Sequence, residues 1–282
     1  MSESLAPGDL RKMRVEEGDP VRYALPVGDR LVSLNALLGA VIGIRHTGDI
    51  HCIACGRSTR KSFNQGHCFP CLRDLARCDG CIVRPERCHY HLGTCREPEW
   101  GETHCMRPHI VYLANTSGVK VGITRESQVP TRWIDQGASQ ALPVARVASR
   151  RLSGLVEVIL KDHVSDRTDW RRMLKGEPDA VDLPAHRDAL LADCEKALSN
   201  VTDEHDSIAP EIVTGSESRT FRYPVLEYPQ RVASISLDKT PEVRGTLLGI
   251  KGQYLILDAG VLNVRRFGGY QIELTIEPPG SI

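Results

Sequence analysis

Nine of the ten cysteines of this 282-residue chain lie within 54 residues, between Cys52 and Cys105. Cys52 and Cys55 form one Cys-x-x-Cys pair, and Cys68 and Cys71 form a second. This spacing allows two thiolates on one tight turn to bind the same ion. Four thiolates from two such turns make a closed tetrahedral site, which is typical of structural zinc. We therefore predict a zinc site at Cys52, Cys55, Cys68 and Cys71.

A second group of potential ligands follows directly. It contains a third Cys-x-x-Cys pair and several further thiols and imidazoles, namely Cys78, Cys81, Cys88, His89, His91, Cys95, His104 and Cys105. One tetrahedral ion needs four of them. We favour Cys78 and Cys81, followed by Cys88 and Cys95, as metal ligands. Because four cysteines also hold iron–sulfur clusters, an iron–sulfur or redox protein is an open alternative.

Composition limits the classes of protein to which this chain can belong. The chain is 41% hydrophobic and 26% charged, with a formal net charge of zero. Its first residues, MSESLAPGDLRKM, lack the basic and then apolar order of a signal peptide. The longest nearly apolar run, residues 34–44, is shorter than the roughly 20 residues needed to span a bilayer. We expect a cytoplasmic protein with no membrane partner, whose reduced thiols bind metal instead of forming disulfides.

A β-hairpin is predicted immediately after the cysteines. Residues 110–114 and 119–124 have strand character, and the segment Asn-Thr-Ser-Gly118 between them is typical of a turn. Pro130 fits the first turn of a short helix. That helix would carry Arg132.

A third strand and a longer helix are predicted next. Residues 142–149 form the strand, and Ser153 is a plausible N-cap for a helix that runs to about His163. Glu157 lies at the edge of the apolar stripe of this helix, where its carboxylate can face a cleft. The structural alternative is a solvated pair between Glu157 and Lys161.

This order of elements resembles the GIY-YIG nuclease superfamily. The segment Ile-Val-Tyr112 stands in place of the first motif and Lys120-Val-Gly122 in place of the second, so that a lysine replaces the second tyrosine. The resemblance implies a β-β-α-β-α core with the catalytic residues Tyr112, Lys120, Arg132 and Glu157.

The resemblance also implies a reaction, the hydrolysis of phosphodiesters in nucleic acid. Glu157 would bind Mg²⁺ or Mn²⁺, Arg132 would contact phosphate, and Tyr112 would lie near the nucleophile. A protonated Lys120 would contact phosphate instead of taking a proton. The alternative is a non-catalytic, zinc-stabilised DNA- or RNA-binding or scaffold protein.

A second resemblance extends over nearly the whole chain. With the sequences GTCREPEWGE at residues 93–102 and GIKGQYLILD at residues 249–258, the chain resembles a cysteine-rich bacterial family of unknown function. This resemblance implies no activity.

Charge is distributed unevenly and favours a nucleic-acid partner. Residues 109–176 contain eleven Lys and Arg against six Asp and Glu, whereas residues 177–220 contain three against eleven. A basic segment with interspersed aromatic residues suits phosphate contacts and base stacking. The acidic segment reads as a connector, with a helix over 185–200 and a polar loop over 203–218.

We therefore predict an α+β fold: a Cys-rich zinc-binding module, a GIY-YIG-like core and a small C-terminal β-barrel or sandwich. The C-terminal strands are expected at residues 232–237, 243–250, 253–258, 260–264 and 270–276. The predicted units are residues 1–50 (N-terminal β-rich element with a polar tail and strands at 21–25 and 31–34), 51–108 (zinc-binding Cys-rich module), 109–176 (GIY-YIG-like domain), 177–220 (acidic helical connector) and 221–282 (C-terminal β domain).

Overall fold

The computed structural model describes residues 3–201 and 209–277. These residues form a mixed α and β fold with three antiparallel sheets, which confirms the predicted class. The strands are β1 (Glu3–Asp9), β2 (Arg14–Glu16), β3 (Arg22–Val27), β4 (Arg30–Ser33), β5 (Val41–Ile50), β6 (His109–Asn115), β7 (Val119–Arg125), β8 (Gln140–Val147), β9 (Glu211–Ile212), β10 (Arg219–Thr220), β11 (Glu242–Lys251), β12 (Tyr254–Leu257), β13 (Gly260–Asn263) and β14 (Tyr270–Glu277). The helices are α1 (Phe69–Asp74), α2 (Pro98–His104), α3 (Thr131–Asp135), α4 (Arg150–Leu160), α5 (Trp170–Met173) and α6 (Leu183–Ser199).

The largest sheet has six strands in the order β1-β14-β5-β11-β12-β13. The apolar residues Ile42 and Ile44 alternate along β5 and point into the core, as do Ile272 and Leu274 on β14. Because β5 lies between β14 and β11, strands from the first 50 residues and from the last 60 share one sheet and one core. The initial segment expected to be a polar tail forms β1, which pairs with β14.

A second sheet has the order β10-β8-β6-β7, with β9 also paired to β8. Side chains of β6 alternate between two cores, as strand geometry requires. Val111 and Leu113 pack with the apolar faces of α4 and α6. Tyr112 and Ala114 join the core of the six-stranded sheet. The hairpin is therefore covered on both faces, which explains its continuous apolar sequence.

Two sequence predictions for this region are wrong in detail. Helix α4 begins four residues earlier than expected, because Ser149 is the N-cap and its Oγ accepts from the N–H of Leu152 at 3.2 Å. Ser153 lies inside the helix, where its Oγ donates to the carbonyl of Arg150. In the C-terminal part of the chain, residues 232–237 do not form the expected strand. Their pairing is limited to an isolated bridge between Ser234 and Val261.

The acidic segment is partly as expected. Helix α6 spans Leu183–Ser199, close to the predicted 185–200. Part of the predicted loop at 203–218 lies outside the described residues. None of the described helices combines the length and the apolar character needed to cross a lipid bilayer.

Candidate functional site

The first four cysteines come together as their spacing predicts. The Sγ atoms of Cys52, Cys55, Cys68 and Cys71 all lie within 4.8 Å of one another, and those of Cys55 and Cys68 are 3.8 Å apart. A tetrahedral ion with bonds of about 2.3 Å to sulfur separates its thiolates by roughly 3.8 Å. This group can therefore hold a structural metal such as zinc.

Local backbone structure positions these thiols. The N–H of Gly56 donates to the carbonyl of Cys52 at 2.9 Å, and Gly56 has a φ of +73°, which a side chain would strain. Cys68 is the N-cap residue of α1, so Cys71 lies in the first turn of that helix. Burial alone would raise the pKa of Cys52, but backbone N–H groups, chiefly that of Cys68, lower it to about 6.

The second group of thiols is arranged differently from the prediction. Cys81, Cys88, Cys95 and Cys105 line one small cavity, and Cys78 does not line it. A set of three mixed ligand atoms also lies at its rim, within 4.8 Å of one another, from Asp79, Cys81 and His89. Of the four thiols that the sequence favours for a second ion, Cys81, Cys88 and Cys95 therefore line this cavity, together with Cys105.

Three of the four predicted catalytic residues line a larger cavity of about 580 Å³, which we call the basic cavity. They are Lys120 on β7, Arg132 on α3 and Glu157 on α4. The other charged residues that line it are Lys12, Arg125, Asp135, Arg150, Asp166 and Arg265. The lining therefore includes six basic and three acidic side chains, an excess of three positive charges.

Tyr112, the fourth predicted residue, lies beneath this cavity and does not line it. Its side chain is fully buried, and burial raises the pKa of its hydroxyl. The hydroxyl accepts a hydrogen bond from Nε2 of Gln136 at 2.7 Å. Gln136 and Gly122 form the cavity floor above the ring.

Lys120 and Glu157 are perturbed by their surroundings. Lys120 is 7% exposed, and burial, assisted by repulsion from Arg132, lowers its pKa to about 8. Burial, followed by the negative charge of Asp166, raises the pKa of the half-buried Glu157. Among the residues that the structure describes, neither side chain has a hydrogen-bond or ion-pair partner. Both groups are thus available to a ligand.

Asp166 was not identified from the sequence. The N–H of Val121 donates to the carbonyl of Ser165 at 2.8 Å, so the segment after α4 runs beside β7 and brings Asp166 to the cavity rim. Asp166 follows shortly after the helix that carries Glu157, and this proximity in sequence could have indicated it as a candidate.

Arg150 connects the basic cavity to the cysteine-rich segment. Its guanidinium donates to the carbonyl of Ile82 at 2.6 Å, and its amide N–H donates to the carbonyl of Cys105 at 2.8 Å. Burial lowers the pKa of this guanidinium. Lys12 and Arg265 approach the cavity from the two ends of the chain, so local sequence patterns do not reveal them.

Comparison with protein families identifies a match over most of the chain. The model of a family described as "Protein of unknown function (DUF2797)" matches residues 39–272. The matched range includes both groups of cysteines and every charged residue of the basic cavity except Lys12. No curated protein and no solved structure matches the chain.

Proposed function

This chain belongs to the DUF2797 family, and we propose that it acts on nucleic acid as a divalent-metal-dependent phosphodiester hydrolase of the GIY-YIG type. One observation carries the proposal. An unpartnered carboxylate, Glu157, shares a cavity with the cations Lys120 and Arg132. Phosphodiester hydrolysis needs these charges, because the reaction requires an activated water and neutralisation of the phosphoryl oxygens.

The topology around the site supports this reaction class. Tyr112 and Gly122 are cross-strand partners in the hairpin, Arg132 is on the short helix that follows, and Glu157 is on the helix after the third strand. This order resembles the GIY-YIG core. Within this chain the residues of the two motifs also pack together, since Tyr112 lies directly over Gly122.

A second groove supports a polymeric anion as substrate. It has a volume of about 640 Å³ and shares Lys12 and Arg265 with the basic cavity. Arg11, Arg14 and Arg77 extend its positive lining away from the site. A continuous basic path of this kind suits the phosphates of a nucleic-acid backbone better than it suits a small phosphate ester.

The carboxylates of the cavity fit a hard divalent cation. Glu157 and Asp166 are close enough that the charge of Asp166 helps to raise the pKa of Glu157, and oxygen ligands suit Mg²⁺ and Mn²⁺. When bound, the ion would supply positive charge to the phosphate and lower the pKa of a water molecule. Glu157 would hold the ion and Asp166 would complete the oxygen set.

The protein side chains would perform the remaining steps. Arg132 would bind the phosphoryl oxygens through its planar guanidinium. Lys120, with a pKa of about 8, has a neutral fraction near neutral pH and would accept the proton of the attacking water. The lowered pKa supports a role for Lys120 as a base, which a fully charged lysine could not perform. Tyr112 would act as a positioning residue by holding Gln136 at the cavity floor.

Cleavage assays on the full chain test the proposal. Labelled single- and double-stranded DNA and RNA are incubated with the protein, with and without Mg²⁺ or Mn²⁺. We expect metal-dependent cleavage, and a loss of about 100-fold or more in Glu157→Gln and Arg132→Gln. Glu195→Gln, an exposed change on α6, serves as control. Equal cleavage by wild type and both site variants would contradict the catalytic assignment.

The complete burial of Tyr112 favours a second candidate, a protein that binds nucleic acid without cleaving it. Binding without metal-dependent cleavage would support this candidate. In either case Arg14→Gln should weaken binding, because Arg14 lines the basic groove. Arg30→Gln, an exposed change on β4 that is not part of the groove lining, should leave binding unchanged.

A further inference from the structure

The cysteine-rich segment contains a second convergence of thiols beyond the first four-cysteine group. Cys81, Cys88, Cys95 and Cys105 surround one cavity, although they are separated by six, six and nine residues along the chain. We propose that these four thiolates bind one soft divalent cation of the zinc class. This second centre is independent of the proposed hydrolysis.

Interactions among the thiols support a common site. Cys81 and Cys88 line the same cavity and are close enough to interact electrostatically. Cys105 interacts electrostatically with Cys81, Cys88 and Cys95, so it links the four thiols into one group. The backbone N–H of Tyr90 also donates to the sulfur of Cys88, as amides commonly do around metal-bound thiolates.

The space enclosed between the thiols is small. Its volume is about 10 Å³, which is roughly what one water molecule requires and far less than a multi-iron cluster needs. In this part of the described chain, the ligand atoms that lie within 4.8 Å of one another are those of Asp79, Cys81 and His89. Binding by the four thiols would therefore draw Cys88, Cys95 and Cys105 inward.

Asp79 and His89 interact with each other, since Nε2 of His89 lies 3.6 Å from a carboxylate oxygen of Asp79, and each also has a further partner. A carboxylate oxygen of Asp79 accepts from the N–H of Cys81 at 3.2 Å, and the second oxygen lies 2.6 Å from Nε of Arg96. Nδ1 of His89 lies 2.8 Å from Oγ1 of Thr94. These contacts organise the rim of the cavity and leave the thiols as its interior donors.

Apolar and aromatic side chains contribute to the wall around the thiols, three of which are half-buried and one of which, Cys105, is buried. Ile82 and Trp100 line the cavity, and the ring of Tyr90 covers Gly101 so closely that a Cβ there would lie 3.0 Å from the ring. The same position lies 3.5 Å from the sulfur of Cys95. Short helical turns with few apolar residues have little else to order them, so an ion would contribute directly to folding.

The position of this centre gives it a structural consequence. The segment that it would organise packs against α4, where a Cβ on Gly154 would lie 2.5 Å from the backbone nitrogen of Glu86. The carbonyl of Cys105 also accepts from the N–H of Arg150 at the start of α4. The ion would therefore support the helix that carries Glu157.

Metal analysis of the full-length protein tests the inference. Protein expressed in zinc-supplemented medium is analysed for bound metal and for acid-labile sulfide. We expect two zinc ions per chain in wild type and one in Cys105→Ala and Cys88→Ala. Two ions should remain in Cys78→Ala, which alters the neighbouring thiol outside the cavity, and in Cys194→Ala, which alters a buried thiol of α6.

Three results would overturn the inference: one ion in wild type, iron with stoichiometric sulfide, or loss of an ion in Cys78→Ala. If the variants of the second centre fold poorly, the first four-cysteine group is altered instead. Cys52→Ala should retain one ion, and cobalt(II) bound to it should show the intense charge-transfer bands of a four-sulfur site. Weaker bands that respond to His89→Ala would instead assign the ion to Asp79, Cys81 and His89, and would also refute the proposal.

Discussion

The hydroxyl of Tyr112 occupies the space that a side chain at Gly122 would need. A Cβ on Gly122 would lie 2.7 Å from that oxygen and 2.8 Å from the ring carbon that bears it. The two residues face each other across the β6–β7 hairpin. Gly122 is therefore required for close packing rather than for an unusual backbone conformation, and it fixes the depth of the tyrosine below the basic cavity.

Replacing Gly122 by alanine should displace Tyr112 and Gln136 together, because the amide of Gln136 donates to the hydroxyl. We expect Gly122→Ala to lower the free energy of unfolding by about 1–3 kcal/mol, as overpacking does. Urea denaturation measures this change. Gly176→Ala is the control, since a Cβ there has no neighbour within 4 Å among the described residues. Equal stability of the two variants would contradict the predicted clash.

Lys120 should be a destabilising residue at neutral pH. Its pKa is depressed from 10.5 to about 8 in the folded state, so its charged form costs about 3 kcal/mol at pH 7. Replacing it with methionine should increase the free energy of unfolding at pH 7. The gain should shrink as the pH rises from about 8 towards 10.5, where the unfolded chain also loses the proton.

Lys251 is the matched comparison. Burial also lowers its pKa to about 8, but its Nζ donates to the carbonyl of Gly176 at 2.9 Å and lies over the rings of Tyr223 and Tyr228. Lys251→Met loses these contacts, so it should gain less stability than Lys120→Met or become less stable. An equal gain in both variants would show that the absence of partners around Lys120 has no energetic effect.

The pH dependence of cleavage should reflect the pKa of Lys120. Lys120 faces Arg132, which lowers its pKa, and Glu157 and Asp166, which raise it. If Lys120 accepts the proton, kcat/KM should rise with pH and level off above about 8. The profile is measured at saturating metal between roughly pH 6 and 10. A rate that falls over this range would assign Lys120 to phosphate binding instead.

Asp166→Asn should weaken the response to divalent metal. The substitution removes one of two neighbouring carboxylates, so half-maximal cleavage should require about tenfold more Mg²⁺ or Mn²⁺. The pKa of Glu157 should fall at the same time, because the charge of Asp166 helps to raise it. Asp162→Asn, an exposed change at the end of α4, should leave the metal requirement as in wild type.

Gly154→Ala should separate α4 from the cysteine-rich segment. The new Cβ would meet the nitrogen of Glu86 at 2.5 Å and the side chain of Pro85 at 2.6 Å, and neither group can move independently. We expect a lower unfolding temperature and a higher rate of zinc loss to a chelator. The colour change of a zinc-binding dye measures that rate. Unchanged zinc release would indicate that the two parts do not depend on each other.

Local sequence patterns are sufficient to predict the strands and helices around the basic cavity. The hairpin consists of two largely apolar runs joined by a turn that contains glycine, and the helix that carries Glu157 has a clear apolar stripe. The start of that helix was misplaced because Ser149 and Ser153 are both plausible caps, and only the accepting hydrogen bond from Leu152 distinguishes them. Serine is favoured as an N-cap at either position, so the preference alone cannot decide between Ser149 and Ser153.

Contacts between residues that are far apart in the sequence cannot be predicted from local patterns. Cys-x-x-Cys spacing favoured Cys78 in the second group, whereas the fold brings Cys105 to the cavity through the end of α2. Lys12 and Arg265 approach Arg132 because distant strands pair in one sheet. Periodicity describes the face of a strand but not its neighbour, so these cations could not be assigned from the sequence.

The location of β5 between β14 and β11 has a consequence for biosynthesis. Val41–Ile50 leaves the ribosome early, whereas its first partner strand begins at Glu242. Both edges of this ten-residue strand, whose first half is apolar, therefore stay without their native partners while most of the chain is translated. The thiol-rich segment and the hairpin emerge in the interval and can fold from local contacts. The six-stranded sheet consequently cannot close before β11 and β14 have been synthesised, and a chain that ends before them leaves both edges of β5 unpaired.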